Sequence, residues 1–253
     1  SGLAFRDAIR TYASRLAEQT VFFSDLICGG TRIASAKELA RLFSYDYAAM
    51  PYLQRFEKLH ARMIYLLDGY ETRRAAEIAS EITAAEGFID RGELRRRSRA
   101  IAKQETQSAR QEAARFTQVT VTRVYADFLS ALSELLSDED AAMVSGVVGD
   151  TLESIRSGQF AYEDQIALLY LQGILGGLQK TSQIHFVVID EAQDYSPLQY
   201  EILRLFFPNA SFTMLGDLAQ TVSSGASLGS FASIAHLFPA EQTLSLRFTK
   251  SYR

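Results

Sequence analysis

Apolar residues recur at helical spacing along most of this chain and give way to short apolar runs in a few places. Residues 3 to 19 set Phe5, Ile9, Tyr12 and Leu16 on one side of an amphipathic helix. VFFSDLICGGTRIAS breaks that period, because two short apolar runs flank Gly29-Gly30, the signal of a small hairpin near residues 21–34. Ser35-Ala36-Lys37-Glu38 is a capping box that opens the next helix. From Pro51 a long helix presents Leu53, Phe56, Leu59, Met63, Leu66 and Leu67, and Asp68-Gly69 predicts a break before the period resumes through Ile78, Ile82 and Phe88. Gln118 to Leu136 alternates briefly (QVTVTRVY) and then turns helical through Tyr125, Phe128, Leu129, Leu132 and Leu136. Asp138 to Asp150 is acidic and rich in small residues, and a module boundary is expected near Ser157-Gly158. Tyr162 to Leu175 reads as a buried helix with Gly176 and Gly177 at its C-cap.

The pattern changes character at Ile184 to Asp194, IHFVVIDEAQD. Its apolar start, with β-branched Val187, Val188 and Ile189, predicts a parallel strand buried on both faces. Ser196-Pro197-Leu198-Gln199 supplies an N-cap serine, a proline at the first helical position and a glutamine three residues after the cap. That helix runs to about Phe207, with Leu198, Ile202, Leu205 and Phe206 on one side, and Pro208-Asn209 ends it. Ala210 to Leu215 is a second strand, closing in Gly216-Asp217. Strand, helix and strand make one βαβ unit, so both strands finish in acids on the same edge.

Asp190 and Glu191 therefore stand at the carboxyl end of a strand, where open α/β sheets hold ligands. Phosphoryl transfer gives two adjacent acids there a use: one carboxylate for a magnesium ion, Asp190, and one to activate water, Glu191. A solvated turn is the plain alternative, since Asp and Gln are ordinary turn residues. On their own the acids do not choose between the two.

Bulk properties narrow the field. The chain has 253 residues, 47% hydrophobic and 22% charged, enough for a sizeable core in one or two domains. A net charge of −4 does not describe a general nucleic-acid binder, so any contact with DNA is local. The single cysteine, Cys28, excludes an internal disulfide and fits a reducing, cytoplasmic compartment; its simplest role is a small side chain packed in the hairpin. His60, His185 and His236 have no metal-ligand spacing. No apolar stretch is long enough for a bilayer, so no membrane role is expected.

Three ordered motifs carry a resemblance: DEAQD at Asp190 to Asp194, GDLAQ at Gly216 to Gln220, and SYR at Ser251 to Arg253. They look like motifs II, III and IV of superfamily 1 helicases of the UvrD/Rep kind. Tyr162-Glu163-Asp164 before IALLYL resembles the segment such proteins carry ahead of the Walker B strand. The resemblance covers roughly residues 160–253. It implies ATP and Mg2+ as cofactors, Asp190 on the metal, Glu191 as the catalytic residue that activates water, and Gln220 and Arg253 as readers of the γ-phosphate.

Within that family the closer likeness is to the HelD, or helicase IV-like, branch, whose motors remodel or recycle RNA polymerase. GLAFRDAIRTYASRL, the hairpin and SAKELARLF resemble the segment those proteins insert into the first RecA-like domain. One departure agrees: Gln220 is followed by TVSSGASLGS, with no aromatic before Phe231, where unwinding enzymes place a base-stacking segment. Such stacking contributes on the order of 1 to 3 kcal/mol per base.

Two further features bear on function. Arg91, Arg95, Arg96, Arg97, Arg99 and Lys103 crowd one helical stretch, as a phosphate-tracking surface, a solvated helix face, or an arm for an acidic partner such as RNA polymerase. None of the 15 glycines precedes a lysine, so the GK[ST] phosphate loop (Walker A) is absent and must come from the rest of a larger motor. The reading is a partial RecA-like P-loop NTPase domain, α/β with a parallel sheet, over residues 158–253. A mostly α-helical inserted domain occupies residues 1–157. The fragment alone is expected to hydrolyse no ATP. The competing expectations are a DNA-unwinding repair helicase and a non-catalytic protein-interaction module.

Overall fold

The computed structural model describes residues 2–178, 181, 183–217, 228 and 230–247. They are mostly helical, and the α/β character is confined to one βαβ segment near the carboxyl end. No helix among them is long and apolar enough to cross a membrane. The chain divides into two compact units, one of residues 1–14 and 125–253, the other of residues 15–124. The boundary expected near Ser157-Gly158 falls inside the first unit, at a turn where Gly158 has φ 77°.

In the second unit, β1 (Leu26–Cys28) and β2 (Thr31–Ala34) pair antiparallel around Gly29-Gly30, whose φ values of 54° and 75° are those an I′-type hairpin requires. Gly29 is needed twice over, since a Cβ there would lie 2.6 Å from Tyr70 Oη. α2 (Ala36–Arg41) starts on the expected capping box: Ser35 Oγ accepts from the Glu38 amide at 3.2 Å, and the Ser35 amide donates to Glu38 Oε2 at 2.8 Å. A π-helical turn, Leu42–Asp46, follows.

α3 (Tyr52–Glu86) runs 35 residues without the break expected at Asp68-Gly69. One interior glycine costs a helix about 1 kcal/mol, and tertiary packing outweighs it here. Leu59, Met63 and Leu67 are fully buried on one face, and Gly87, with φ 76°, ends the helix. α4 (Arg91–Thr117) returns antiparallel, capped by Asp90, whose carboxylate accepts from the Gly92 and Glu93 amides. Its buried seam is Ser98, Ala102, Thr106, Ala109 and Ala113, small side chains that admit a close helix pair. Ion pairs flank the seam: Arg74 with Glu105 at 3.0 Å, Arg97 with Glu86 at 2.7 Å, and Arg110 with Asp68 and Glu71 at 2.6 and 2.8 Å.

In the first unit, α5 (Val121–Leu135) buries Tyr125, Phe128, Leu129 and Leu132. The alternating stretch before it is drawn into this helix because Thr120 Oγ1 accepts from the Arg123 amide. Phe128 takes the edges of Phe5 and Tyr12 from α1 (Gly2–Glu18), each at 5.5 Å between centroids. The acidic segment is α6 (Asp138–Arg156), capped by Ser137 with Asp138, Glu139 and Asp140 in its first turn, where the helix dipole favours negative charge. α7 (Tyr162–Leu171) carries the buried Asp164, which accepts from the Tyr125 hydroxyl at 2.7 Å.

β3 (Phe186–Ile189) and β4 (Ser211–Met214) pair in parallel, Ile189 beside Met214, with α8 (Pro197–Phe206) between them in sequence. Val187, Ile189, Phe212 and Met214 face a cluster with Ala192, Tyr200, Leu228 and Ile234. The strand is not buried on both faces as expected: Phe186 is 80% and Val188 68% exposed. The described sheet has two strands and helical cover on one side only, so alternate residues of β3 meet solvent. On α8, Tyr200 and Glu201 are buried as well, beyond the stripe that apolar spacing picks out. Glu201 Oε1 lies 2.9 Å from His236 Nε2 and 3.5 Å from Arg6 Nη1, so its buried charge is paired.

Burial raises the hydroxyl pKa of three tyrosines in this unit, with Tyr170 pushed up to about 12 and Tyr125 and Tyr200 higher still. Their ordinary value is near 10. Above that pH the unfolded chain releases these protons and the folded chain keeps them, so stability falls as pH rises. Each tyrosine contributes a slope of up to about 1.4 kcal/mol per pH unit. Urea unfolding at pH 8 and above about pH 10 checks this; an unchanged midpoint would contradict it.

Candidate active site at the carboxyl edge of the parallel sheet

The end of β3 is stitched to the end of β4 by backbone hydrogen bonds. The Leu215 amide donates to Ile189 O and the Ala192 amide to Leu215 O, both at 2.8 Å. Between these bonds the chain must turn within two residues, and those are Asp190 and Glu191. Asp190 is exposed, and its Oδ1 accepts from the Glu191 amide at 2.9 Å. Glu191 adopts φ 48°, ψ 42°, the one non-glycine residue with positive φ among those described. That backbone costs an L-residue of order 1 to 3 kcal/mol and persists only where its surroundings over-determine it.

Those surroundings are explicit. Ala192 to Asp194 form a single 3-10 turn, closed by the Asp194 amide donating to Glu191 O at 2.9 Å. Ala192 is fully buried, and its carbonyl accepts from the Tyr200 hydroxyl at 2.7 Å. Gln193, 2% exposed, spans the two strand ends. Its Nε2 donates to Glu191 Oε2 at 2.7 Å, and its Oε1 accepts from the Asp217 amide at 3.0 Å. A carboxylate can only accept and an amide N–H can only donate, so these partners fix both ends of the side chain.

Gly216 makes the approach of the two loops possible. A Cβ at this position would lie 2.5 Å from Gln193 Oε1 and 3.1 Å from the amide nitrogens of Ala192 and Gln193. Any side chain at 216 would thus push the buried glutamine off its bridge. The glycine of GDLAQ and the glutamine of DEAQD are one steric unit.

Of the residues picked out from the sequence, Asp190 and Glu191 stand together at this edge, beside Asp217. Gln220 and Arg253 lie outside the described residues. The basic residues are elsewhere, on α4: Arg97 is committed to Glu86 through two hydrogen bonds, and Arg91, Arg95 and Arg99 line a groove of about 580 Å³ with Ala75, Ala76 and Ala79. Gln193 lies inside the DEAQD stretch, where the sequence alone gives it no role. Its signal was an amide two residues beyond a strand-end acid, where one polar side chain can bridge two loops.

No group of three or more metal-ligating side chains occurs among the described residues. Magnesium is held through one or two carboxylates together with water and substrate phosphates, so the hard oxygen donor at the exposed Asp190 fits that ion without a full protein cage.

The family model of the UvrD/REP helicase N-terminal domain matches residues 66–224, more than half of the chain, from within α3 to just past the acid edge. A search of the curated proteins finds no match. With its two strand-end loops and their motifs lying inside the matched span, the chain belongs to the UvrD/REP helicase family.

Proposed function

We propose that the edge formed by Asp190, Glu191, Gln193 and Asp217 is the hydrolytic side of an ATP-driven superfamily 1 motor. The observation that carries this is the Gln193 bridge, which holds the Glu191 carboxylate over a strained turn and ties it to the loop after β4. A general base needs a fixed position more than a special environment. On this reading Glu191 orients and deprotonates the attacking water, and Asp190 would hold the magnesium ion. That ion, when bound, neutralises charge on the phosphates. Gln220 and Arg253 would read the γ-phosphate, as the family motifs at those positions imply.

β3, α8 and β4 are then part of a RecA-like motor domain over residues 158–253, with the helices of residues 1–157 as its insertion. Helicases of this family use ATP and Mg2+ and act on DNA. The finer reading is a HelD-like motor in the cytoplasm that remodels or recycles RNA polymerase. It is supported by the likeness of the amino-terminal pattern and by the aromatic-free stretch after Gln220. Arg91, Arg95, Arg96, Arg99 and Lys103, exposed on α4, would form the partner surface, with Arg97 holding α4 to the end of α3. The DNA-unwinding reading rests on the family match.

Because no glycine precedes a lysine, the purified chain is expected to release no phosphate from ATP with magnesium. Turnover that Glu191→Gln abolishes would contradict this. Gel filtration with core RNA polymerase at physiological salt separates the finer readings. Co-elution without DNA binding favours the polymerase motor. Salt-sensitive DNA binding without co-elution favours unwinding.

A further inference from the structure

We propose that the groove between α3 and α4 is a self-association site, which takes the α6 helix of a second copy of this chain. It goes beyond the ATP-site reading, uses none of that site's residues, and does not depend on RNA polymerase as the partner of α4.

The groove is a two-helix cleft of about 580 Å³. α3 lines it with Thr72, Ala75, Ala76 and Ala79, and α4 with Leu94 and Ser98, so its floor is made of small side chains. Along the α4 rim Arg91, Arg95 and Arg99 stand four residues apart, on one face of the helix, over roughly 12 Å. Arg74, Arg97 and Arg110 of the same two helices are committed to acids: Arg74 to Glu105, Arg97 to Glu86, and Arg110 to Asp68 and Glu71. The three rim arginines are exposed and have no ion pair among the described residues. This is an apolar floor with an unanswered row of cations.

α6 carries the matching surface. Its inner side holds the buried Ile155 with Val144, Val148 and Leu152 half-buried. A helix that rests on one apolar face is ordinarily polar on the other, yet there Met143 is 74% and Val147 62% exposed. Gly146 and Gly149 lie in the same stretch, and a Cβ at either would meet nothing within 4 Å. An interior glycine costs a helix about 1 kcal/mol relative to alanine, and no neighbour among the described residues accounts for these two. A glycine lets another backbone come close. Glu139 and Asp150, both exposed, bracket the apolar patch from the same face, eleven residues or about three turns apart.

The two surfaces answer each other. Met143 and Val147 would cover the alanine floor, the glycines would let the α6 backbone approach the small side chains, and Glu139 and Asp150 would reach the arginine rim. A nucleic-acid strand suits the groove less, because the floor has no ring for a base and Asp68 and Glu71 stand at one end of it. A contact built this way strengthens with concentration and weakens with salt.

The test is sedimentation velocity of the full 253-residue chain at low salt, from about 1 to 200 µM, the range suited to a small interface. Two charge-reversed chains accompany it: one with Arg91→Glu, Arg95→Glu and Arg99→Glu in the groove, the other with Glu139→Arg and Asp150→Arg on α6. Each alone is expected to associate at least tenfold more weakly than the wild type. Their equimolar mixture should regain association, because a reversed groove then meets a reversed helix. Val147→Ser, which leaves every charge in place, should weaken association about fivefold. A wild-type chain that stays monomeric throughout, association untouched by either reversal, or a mixture of two folded variants that stays monomeric would each overturn the proposal. Every substituted side chain is exposed, and an unchanged circular dichroism spectrum and unfolding midpoint establish that the variants fold. No nucleotide, DNA or polymerase enters the experiment, so its failure leaves the ATP-site reading standing.

Discussion

Phe128→Ala is expected to destabilise the first unit by about 3 to 5 kcal/mol, the range for deleting a fully buried aromatic side chain. Phe128 has no exposed surface, and three rings meet it: Phe5 and Tyr12 edge-on from α1, and Tyr125 stacked at 6.1 Å. Alanine would leave a void that none of these neighbours can fill without moving α1, so relaxation recovers little of the loss. Tyr125 is further tied to Asp164 on α7, which transmits the damage toward the segment leading into β3. Chemical denaturation followed by circular dichroism reads the effect. A loss under about 1 kcal/mol would mean that the ring cluster does not hold α1 to α5. Phe128→Leu, which keeps most of the volume, should cost markedly less.

Much of the site's framework was legible in the sequence because it rests on local rules. The capping boxes at Ser35 and Ser196 appear where the S-x-x-E/Q spacing puts them, and the two strands end on one edge because a βαβ unit is parallel. What escaped depends on neighbours distant in sequence. Gly69 did not break α3, because the decision lies with the α4 side chains packed on that helix. The seam of α4 is made of Ser, Ala and Thr, which give no hydrophobic period to detect. Exposure of alternate residues on β3 follows from a sheet covered on one side, which an apolar run cannot reveal. Gln193 looked like any turn residue until the end of β4 was brought against it.

The account turns on Glu191. Its left-handed backbone and its hydrogen bond from Gln193 are what a residue needs if its carboxylate is to stand in one place when water must be oriented. Glutamine at 191 would keep the size and could still accept from Gln193 through its amide oxygen, but it can take no proton from water. Positioned general bases contribute about 10² to 10⁴ in rate, so the loss should fall on turnover and spare nucleotide binding. Gly216 and Gln193 support that geometry, and the Tyr200 hydroxyl anchors it from below through Ala192.

The most direct measurement is single-turnover phosphate release, alongside nucleotide affinity, by a motor in which this chain is joined to a Walker A loop, with and without Glu191→Gln. The account predicts hydrolysis slowed by about 10² to 10⁴ at unchanged nucleotide affinity. Hydrolysis at the wild-type rate would contradict it and return Asp190 and Glu191 to the status of a solvated turn.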